Sequence, residues 1–354
     1  MYPDRLSLRA FRPNAMLFVP RVVARAIRRG VNVTGTGLLV AASLAGLAPL
    51  AAQSVGGDAR DGVTVPAGPL MRRLHALAHD SMEGRGAGTP GGARGRAFLE
   101  AELRAIGVEP AGDTYQVPVR VRARPGADSL GANVVARLPG RRGTGPVLVL
   151  SAHHDHLGVR GDSIYNGADD DASGSVALLS LAERFRAAPL EHDVLFAWFE
   201  AEESGMLGSR AFVATPPVPL DRIAVNVNLD MVSRHEGGGT LWIAGTAHWP
   251  QLRAVAEAAV TAAAIPVRFG HDTPSARRSD DWTGASDHAS FHRVGVPFLY
   301  LGVEDHPDYH RPGDDAGKVD PAFFAATVSA AEALVRALDA QLEALHAQRP
   351  VRTP

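Results

Sequence analysis

Short runs of almost unbroken apolar residues recur along the chain, and each ends where residues able to carry chemistry begin. Val147 to Ala152 and Val194 to Phe199 are nearly continuous, Ile223 to Met231 is interrupted only by Asn226, Asn228 and Asp230, and Leu241 to Ala244 and Val296 to Val303 are similar. Segments this short and this apolar read as strands covered on both faces. Helical patterns lie around them, at about Gly68 to Ala78, Ala93 to Ile106, Ser173 to Ala187, Met206 to Val213, Gln251 to Ala263 and Pro321 to Ala347. Buried strands alternating with helices predict an α/β fold, a three-layer α/β/α sandwich around a mixed, mostly parallel β-sheet. No repeat or low-complexity linker divides the chain after Ala52, and residues 53–350 suffice for one α/β domain of ordinary size or for two small domains.

The first 52 residues have a different character. Arg5, Arg9, Arg12, Arg21, Arg25, Arg28 and Arg29 face Asp4 alone, no charge follows from Val31 to Ala52, and Leu38 to Leu50 is an apolar run broken only by Ser43 and Pro49. A basic start, a short apolar core and a small-residue exit describe a signal peptide over 1–52, so the protein is expected to be exported, periplasmic or extracellular. The run is shorter than the roughly 20 residues a membrane span needs, and no stable membrane insertion is expected after cleavage. The whole chain carries a formal net charge of −2, but seven Arg against one Asp in the leader leave the remainder at −8. Nucleic acid is therefore not an expected partner. Cys is absent, which excludes disulfides, thiolate metal sites and catalytic thiols, so any metal must be held by His and carboxylates.

Two apparent motifs lose their meaning in context. Gly86, Gly88 and Gly91 spell GxGxxG, yet no apolar strand leads into them and Pro90 lies inside, so a loop is expected. Ser286, Asp287 and His288 have the residue types of a hydrolase triad, but adjacent residues do not point at one another in relay.

Eleven of the fourteen histidines fall between residues 153 and 310, and several sit beside acids at predicted strand ends. The clusters are Ala152-His153-His154-Asp155-His156-Leu157-Gly158, then Gly167 to Gly174 with Asp169, Asp170 and Asp171, then Ala201-Glu202-Glu203, Asn228-Leu229-Asp230-Met231, and Tyr309-His310. Taken singly, an Asp run is a solvated turn or helix cap and a Glu pair is surface. Taken together, they lie where open α/β sheets bind ligands, and carboxylates gathered in one pocket repel unless cations neutralise them. A donor set of His and carboxylate suits zinc, with Mn2+ or Co2+ as alternatives.

The series AHHDHLG, GADDDASG, AEESGMLGS, NLDM and YH resembles, in order, the motifs of the two-zinc exopeptidases in family twenty-eight of the metallopeptidases. Secreted bacterial leucyl aminopeptidases belong to that family, as do glutamate carboxypeptidase and the transferrin receptor with added domains. The similarity extends to HDSMEGRGAGTPGG and SDHASF, and so to nearly all of the chain after the leader. The resemblance implies two Zn2+ ions bridged by Asp170, with Glu203 and His310 completing one set of ligands and His153 and Asp230 the other. It implies Glu202 as general base, Asp155 as the carboxylate that holds His153, and Asp171, Asp287 and His288 as groups lining or supporting the pocket. His154 and His156 crowd His153 and compete with it as metal ligands; the first His of the AHxD pattern is assigned. His292 is expected in helix packing or at the surface, and His306 in a loop before the last ligand. The segment between Tyr115 and Asn133 is too short for the protease-associated insert of larger relatives, so the resemblance implies a single catalytic domain over 53–350.

The expected protein is thus an exported aminopeptidase acting on peptide substrates. Two other readings stay open on the sequence: a carboxypeptidase or an amidohydrolase on acylated amino acids, and a non-catalytic binding module on the same scaffold.

Overall fold

A computed structural model describes residues 64–124, 127–236, 238–275, 277 and 280–349; the predicted leader lies outside the described residues. Four strands form the parallel centre of the sheet: β4 (Val147–His153), β7 (Asp193–Phe199), β8 (Ile223–Leu229) and β11 (Phe298–Gly302), in the order β7-β4-β8-β11. On one side β3 (Ala127–Leu138) pairs antiparallel with β7, and β2 (Gln116–Arg124) and β1 (Glu109–Pro110) pair with β3. On the other, β9 (Leu241–Ala244) runs antiparallel to β11, and β10 (Val267–Phe269) is parallel to β9. A two-stranded ribbon, β5 (Gly158–Arg160) with β6 (Ser163–Tyr165), stands apart.

Alternation along the central strands divides the core. In β7, Val194, Phe196 and Trp198 enter the larger cluster, while Leu195, Ala197 and Phe199 enter the smaller one on the opposite face. The larger cluster is covered by α1 (Ala67–Leu77), α2 (Pro90–Ile106), α3 (Gly174–Ala187), α5 (Arg253–Val260) and α7 (Pro321–Ala340), with α8 (Leu342–Ala347) at its end. The smaller is closed by Phe212 of α4 (Leu207–Ala214) and Phe291 of α6 (His288–Arg293), whose rings lie 5.7 Å apart. Helices on both faces make the expected three layers. The polar interruptions in β8 are linked in one hydrogen-bonded chain: Asn226 donates to Ser151 Oγ (2.8 Å), Ser151 donates to Asn228 (2.6 Å), and Asn228 donates to Ser286 Oγ (3.0 Å) in the segment before α6.

The segment around the glycine-rich loop follows the expected pattern, with a 3-10 turn over Asp80–Arg85 and no strand leading into Gly86. Helix α2 begins three residues earlier than the periodicity predicts, because Thr89 accepts from Gly92 N as its cap and Pro90 occupies the first turn, where a missing N–H costs nothing. The last helix is broken at Gln341 into α7 and α8. The hairpin β2–β3 lies in the stretch to which the sequence assigned no element.

Two buried charges hold the loops above this sheet. Arg85 is wholly buried and donates to the carbonyls of Leu77, His154, Asn166 and Gly167 at 2.6–3.0 Å. Burial lowers its pKa to about 10, against the pull of Asp171 and Asp314. Glu200, also buried, accepts from Gly88 N and Ala132 N (both 3.0 Å) and pairs with Arg96. Its carboxylate lies against Gly131, where a Cβ would collide with it. Glu200→Ala leaves the buried Arg96 without its carboxylate partner, and a loss of about 3–5 kcal/mol is expected, read as a lower urea midpoint at unchanged slope.

His288 is buried, donates from Nε2 to Trp282 O (2.8 Å) and packs on Phe298 and Tyr300. Burial lowers its pKa to about 3. Its unfolded value is about 6.5, so the unfolded chain takes the proton first; the ring's contribution is full above about pH 6.5 and is lost as the pH falls towards about 3. Between about pH 6.5 and 4 the urea midpoint of chelator-treated protein should therefore fall less in His288→Asn than in the parent; equal slopes would refute this.

Candidate metal centre

Because β4, β7, β8 and β11 are parallel, their carboxyl ends share one edge, and chain segments far apart in sequence meet there. His153 is the last residue of β4, Glu200 to Glu203 follow β7, Asp230 follows β8, and the loop from Val303 to His310 follows β11. Asp169 to Asp171 lie in the turn Ala168–Ser173 that leads into α3, with a cis peptide bond between Asp170 and Asp171.

The five residues expected to bind metal come together in two groups that share Asp170. His153 Nε2 lies 3.2 Å from Asp170 Oδ1 and 3.5 Å from Asp230 Oδ1. His310 Nε2 lies 3.1 Å from Asp170 Oδ2 and 3.3 Å from Glu203 Oε2. One carboxylate oxygen of Asp170 therefore faces each group. His156 joins the second, with Nδ1 at 2.8 Å from Glu203 Oε1 and 3.7 Å from Asp170 Oδ2. His153, Asp170 and Asp230 form one set of converging donors; His156, Asp170 and Glu203 form another.

These contacts do not satisfy the groups that make them. Asp230 Oδ1, Glu203 Oε1 and both ring nitrogens of His156 are buried without a hydrogen-bond partner. Leaving such atoms unpaired costs on the order of 1–3 kcal/mol each. The cluster also draws positive charge: Asp170 and Glu203 raise the His310 pKa to about 10, and at His153 burial is outweighed by Asp230 and Asp170, which hold it well above its usual value. Orphaned donors, clustered carboxylates and a thiol-free ligand set fit divalent cations bound by nitrogen and oxygen.

Surrounding groups fix the orientation of each donor. His153 Nδ1 is 3.0 Å from the backbone carbonyl of Asp155, whereas the Asp155 carboxylate is 3.8 Å from that ring and accepts from Glu202 N at 3.0 Å. Asp155 thus stands beside the His153 ring and also ties the His153 segment to the Glu202 segment. Asp171 accepts from His153 N, Gly174 N and Met231 N (3.1, 2.8 and 3.3 Å), joining three of the converging chains. Asp314 accepts from Asp169 N and Asp170 N (3.1 Å), and Asp169 accepts from Ser233 N and faces His306 Nε2 at 3.4 Å. Ala201, Met231 and His310 have φ between 54° and 60°, a left-handed backbone that non-glycine residues adopt at a cost of about 1–3 kcal/mol and that clusters at functional sites.

Glu202 faces the same cavity, of about 100 Å³, with Met231, Trp282, Tyr300, Val303 and Asp305. Burial raises its pKa well above the usual range, against His153 and with Asp287, Asp230 and Glu203 reinforcing it. Asp287 lies buried behind it, its carboxyl pushed up to about 7 by burial. His288 is turned away into α6 packing, and His292 packs against His248 at a tilt and edge-on against Trp249. His154 points to Ala132 O (3.1 Å) and the Glu200 side, outside the cluster. A larger cleft of about 770 Å³ lies between α1, α3, α5 and α7, but its alanine-rich lining holds none of these donors. Arg85, Glu200, Asp314 and Trp282 were not singled out by the sequence although each sits in or beside a motif: Arg85 in HDSMEGRGAGTPGG, Glu200 directly before AEESGMLGS, Trp282 shortly before SDHASF and Asp314 four residues after His310. The partners of Arg85, Glu200 and Asp314 come from distant segments, which no local spacing shows.

Peptidase family M28 matches residues 133–335. A probable leucine aminopeptidase of Arthroderma otae is 27% identical over 201 residues, covering 54% of this chain and 53% of its own length, so the chain spans about half of that relative. Among solved structures, a zinc aminopeptidase from Bacillus subtilis superimposes with a TM-score of 0.61 at 16% identity, over 77% of this chain and 95% of that one. A Bacteroides thetaiotaomicron glutaminyl cyclase does so with a TM-score of 0.63 at 17% identity, over 77% and 98%. With more than half its length matched by one family, and the donor clusters inside the match, the chain belongs to peptidase family M28.

Proposed function

We propose that the protein is an exported aminopeptidase that hydrolyses the first peptide bond of peptides with two divalent cations, zinc by ligand chemistry, and with Glu202 as general base. The observation that carries this reading is the sharing of Asp170 between two donor groups beside Glu202. His153, Asp170 and Asp230 would hold one cation, and Asp170, Glu203 and His310 the other. Bound there, such ions supply Lewis acidity towards a carbonyl oxygen and acidify water. Glu202 takes the proton of the attacking water and returns it to the leaving amine. Its backbone is anchored by Asp155 and lies beside the strained Ala201, which keeps the carboxylate in the cavity rather than among the ligands. The surrounding acids attract a free amino terminus, and Met231, Trp282, Tyr300 and Val303 offer an apolar wall to the first side chain. Export is supported by the basic start and apolar core of residues 1–52.

A panel of peptides with free, acylated and carboxyl-blocked ends tests the reading. Release of the first residue from free-amine peptides, lost on chelation and restored by zinc, is expected. Preferential cleavage of amino-blocked peptides would shift the reading to a carboxypeptidase or amidohydrolase. Ring closure of an amino-terminal glutamine, in place of its release, would shift it to the chemistry named for the cyclase neighbour. No turnover in the metal-loaded protein would leave a binding module.

Glu202→Gln should retain its metal content and lose about 10²–10⁴-fold in kcat. Near-full activity in that variant, with metal content verified, would remove Glu202 from the mechanism.

A further inference from the structure

The two donor groups are not equivalent, and the difference lies in His156. Its ring is fully enclosed, and its position is built by chain segments from either side. Gly86 forms a β-bridge with it, and Gly167, at φ 54°, lies so close that a Cβ there would strike the His156 ring and Asp170 O. A glycine is required at 167 on both counts. Yet this enclosed imidazole makes no hydrogen bond from either nitrogen. Nδ1 stands beside Glu203 Oε1 at 2.8 Å, and that oxygen is itself without a hydrogen-bond partner. Side-by-side placement without alignment is what donors of one cation show, since their lone pairs converge on a point between them rather than on each other. His156 and His310 each stand 2.8 to 3.7 Å from oxygens of Asp170 and Glu203, and the donors of His156, Asp170 and Glu203 all lie within 4.8 Å of one another. Donors about 2.0–2.2 Å from a shared ion, arranged tetrahedrally, stand at about such separations.

We propose that His156 is a sixth metal-binding side chain, joining Asp170, Glu203 and His310 around one cation; this rests on the two-metal reading above. That side then has four protein donors, the number of a closed zinc site, whereas His153, Asp170 and Asp230 supply three and leave a position open. The cation on the His156 side would be the more tightly held and would fix Asp170 and Glu203. The His153–Asp230 side, with three donors, would be where an exchangeable ligand is accommodated. Nε2 of His156 keeps its proton, and that proton reports on the bond at Nδ1.

Stepwise loading of the chelator-treated full chain with zinc, against a competing chromophoric chelator, should give two unequal steps in the wild type. His156→Gln, which keeps a polar side chain of similar reach, should weaken the tighter step by about 100-fold or more and leave the weaker step close to its wild-type value. Proton spectra of the wild-type protein loaded with Co2+ separate a ligand from a group that merely supports Glu203, and they need no variant to fold. A ring N–H on a Co2+-bound imidazole is shifted far outside the diamagnetic range, so His153, His156 and His310 should give three such exchangeable resonances. The resonance missing from His156→Gln is that of His156. Two bound cations with only two such resonances, or two loading steps unchanged in His156→Gln, would overturn the role of His156 and leave the two-metal reading standing. Uptake of a single cation by the wild type would overturn both.

Discussion

Everything at the functional edge of this protein answers to the crowding of buried negative charge. Asp170, Glu202, Glu203 and Asp230 face one small cavity, and Asp155, Asp171 and Asp287 lie buried just behind it. Carboxylates in such a place are stable only if opposite charge or protons are supplied. The protein supplies part of this itself, through imidazoles and through backbone N–H groups aimed at the outer carboxylates. Glu203 and Asp230 at the cavity still keep one buried oxygen each without a hydrogen-bond partner, and Asp155 and Asp287 behind them also keep such oxygens. The division of labour is clear in the aspartate run: Asp169 and Asp171 are spent on backbone N–H groups of neighbouring loops, and Asp170 alone faces the donors.

That division depends on a frame of cations and hydrogen bonds away from the chemistry. Arg85 gathers four carbonyls from three chain segments, including the carbonyl of Gly167 at the start of the aspartate turn. Glu200 does the complementary work beside Ala201 and Glu202, tying the end of β7 to the hairpin and the glycine-rich loop. Loops that carry buried charge would otherwise rearrange to solvate it. Here their backbone groups are already committed, and the donors are held for use.

Much of this was legible in the residues. The apolar runs ending in His153, before Glu202 and Glu203, and before Asp230 placed three of the donor segments on one sheet edge once the strands were taken as parallel. The strands flanking the centre were harder to see. β2 alternates Arg with Val and Pro, and β3 contains Asn133 and Arg137, so neither resembles the fully buried runs of the middle. The helix α2 start was displaced because a cap and a proline define it locally, whereas periodicity is a property of a longer window.

The sequence by itself determined the types of the central strands and of the helices, the absence of sulfur ligands and the order of acid and imidazole clusters, because these depend on composition and on contacts between near neighbours in the chain. Only the tertiary structure decided which of three adjacent imidazoles faces which partner. His153 turns to Asp170 and Asp230, His154 to Ala132 and Glu200, and His156 to Glu203. Successive side chains at a strand end diverge in direction, and their partners come from segments dozens of residues away. No spacing rule within AHHDHLG carries that information; it exists only once the parallel strands have brought the loops together.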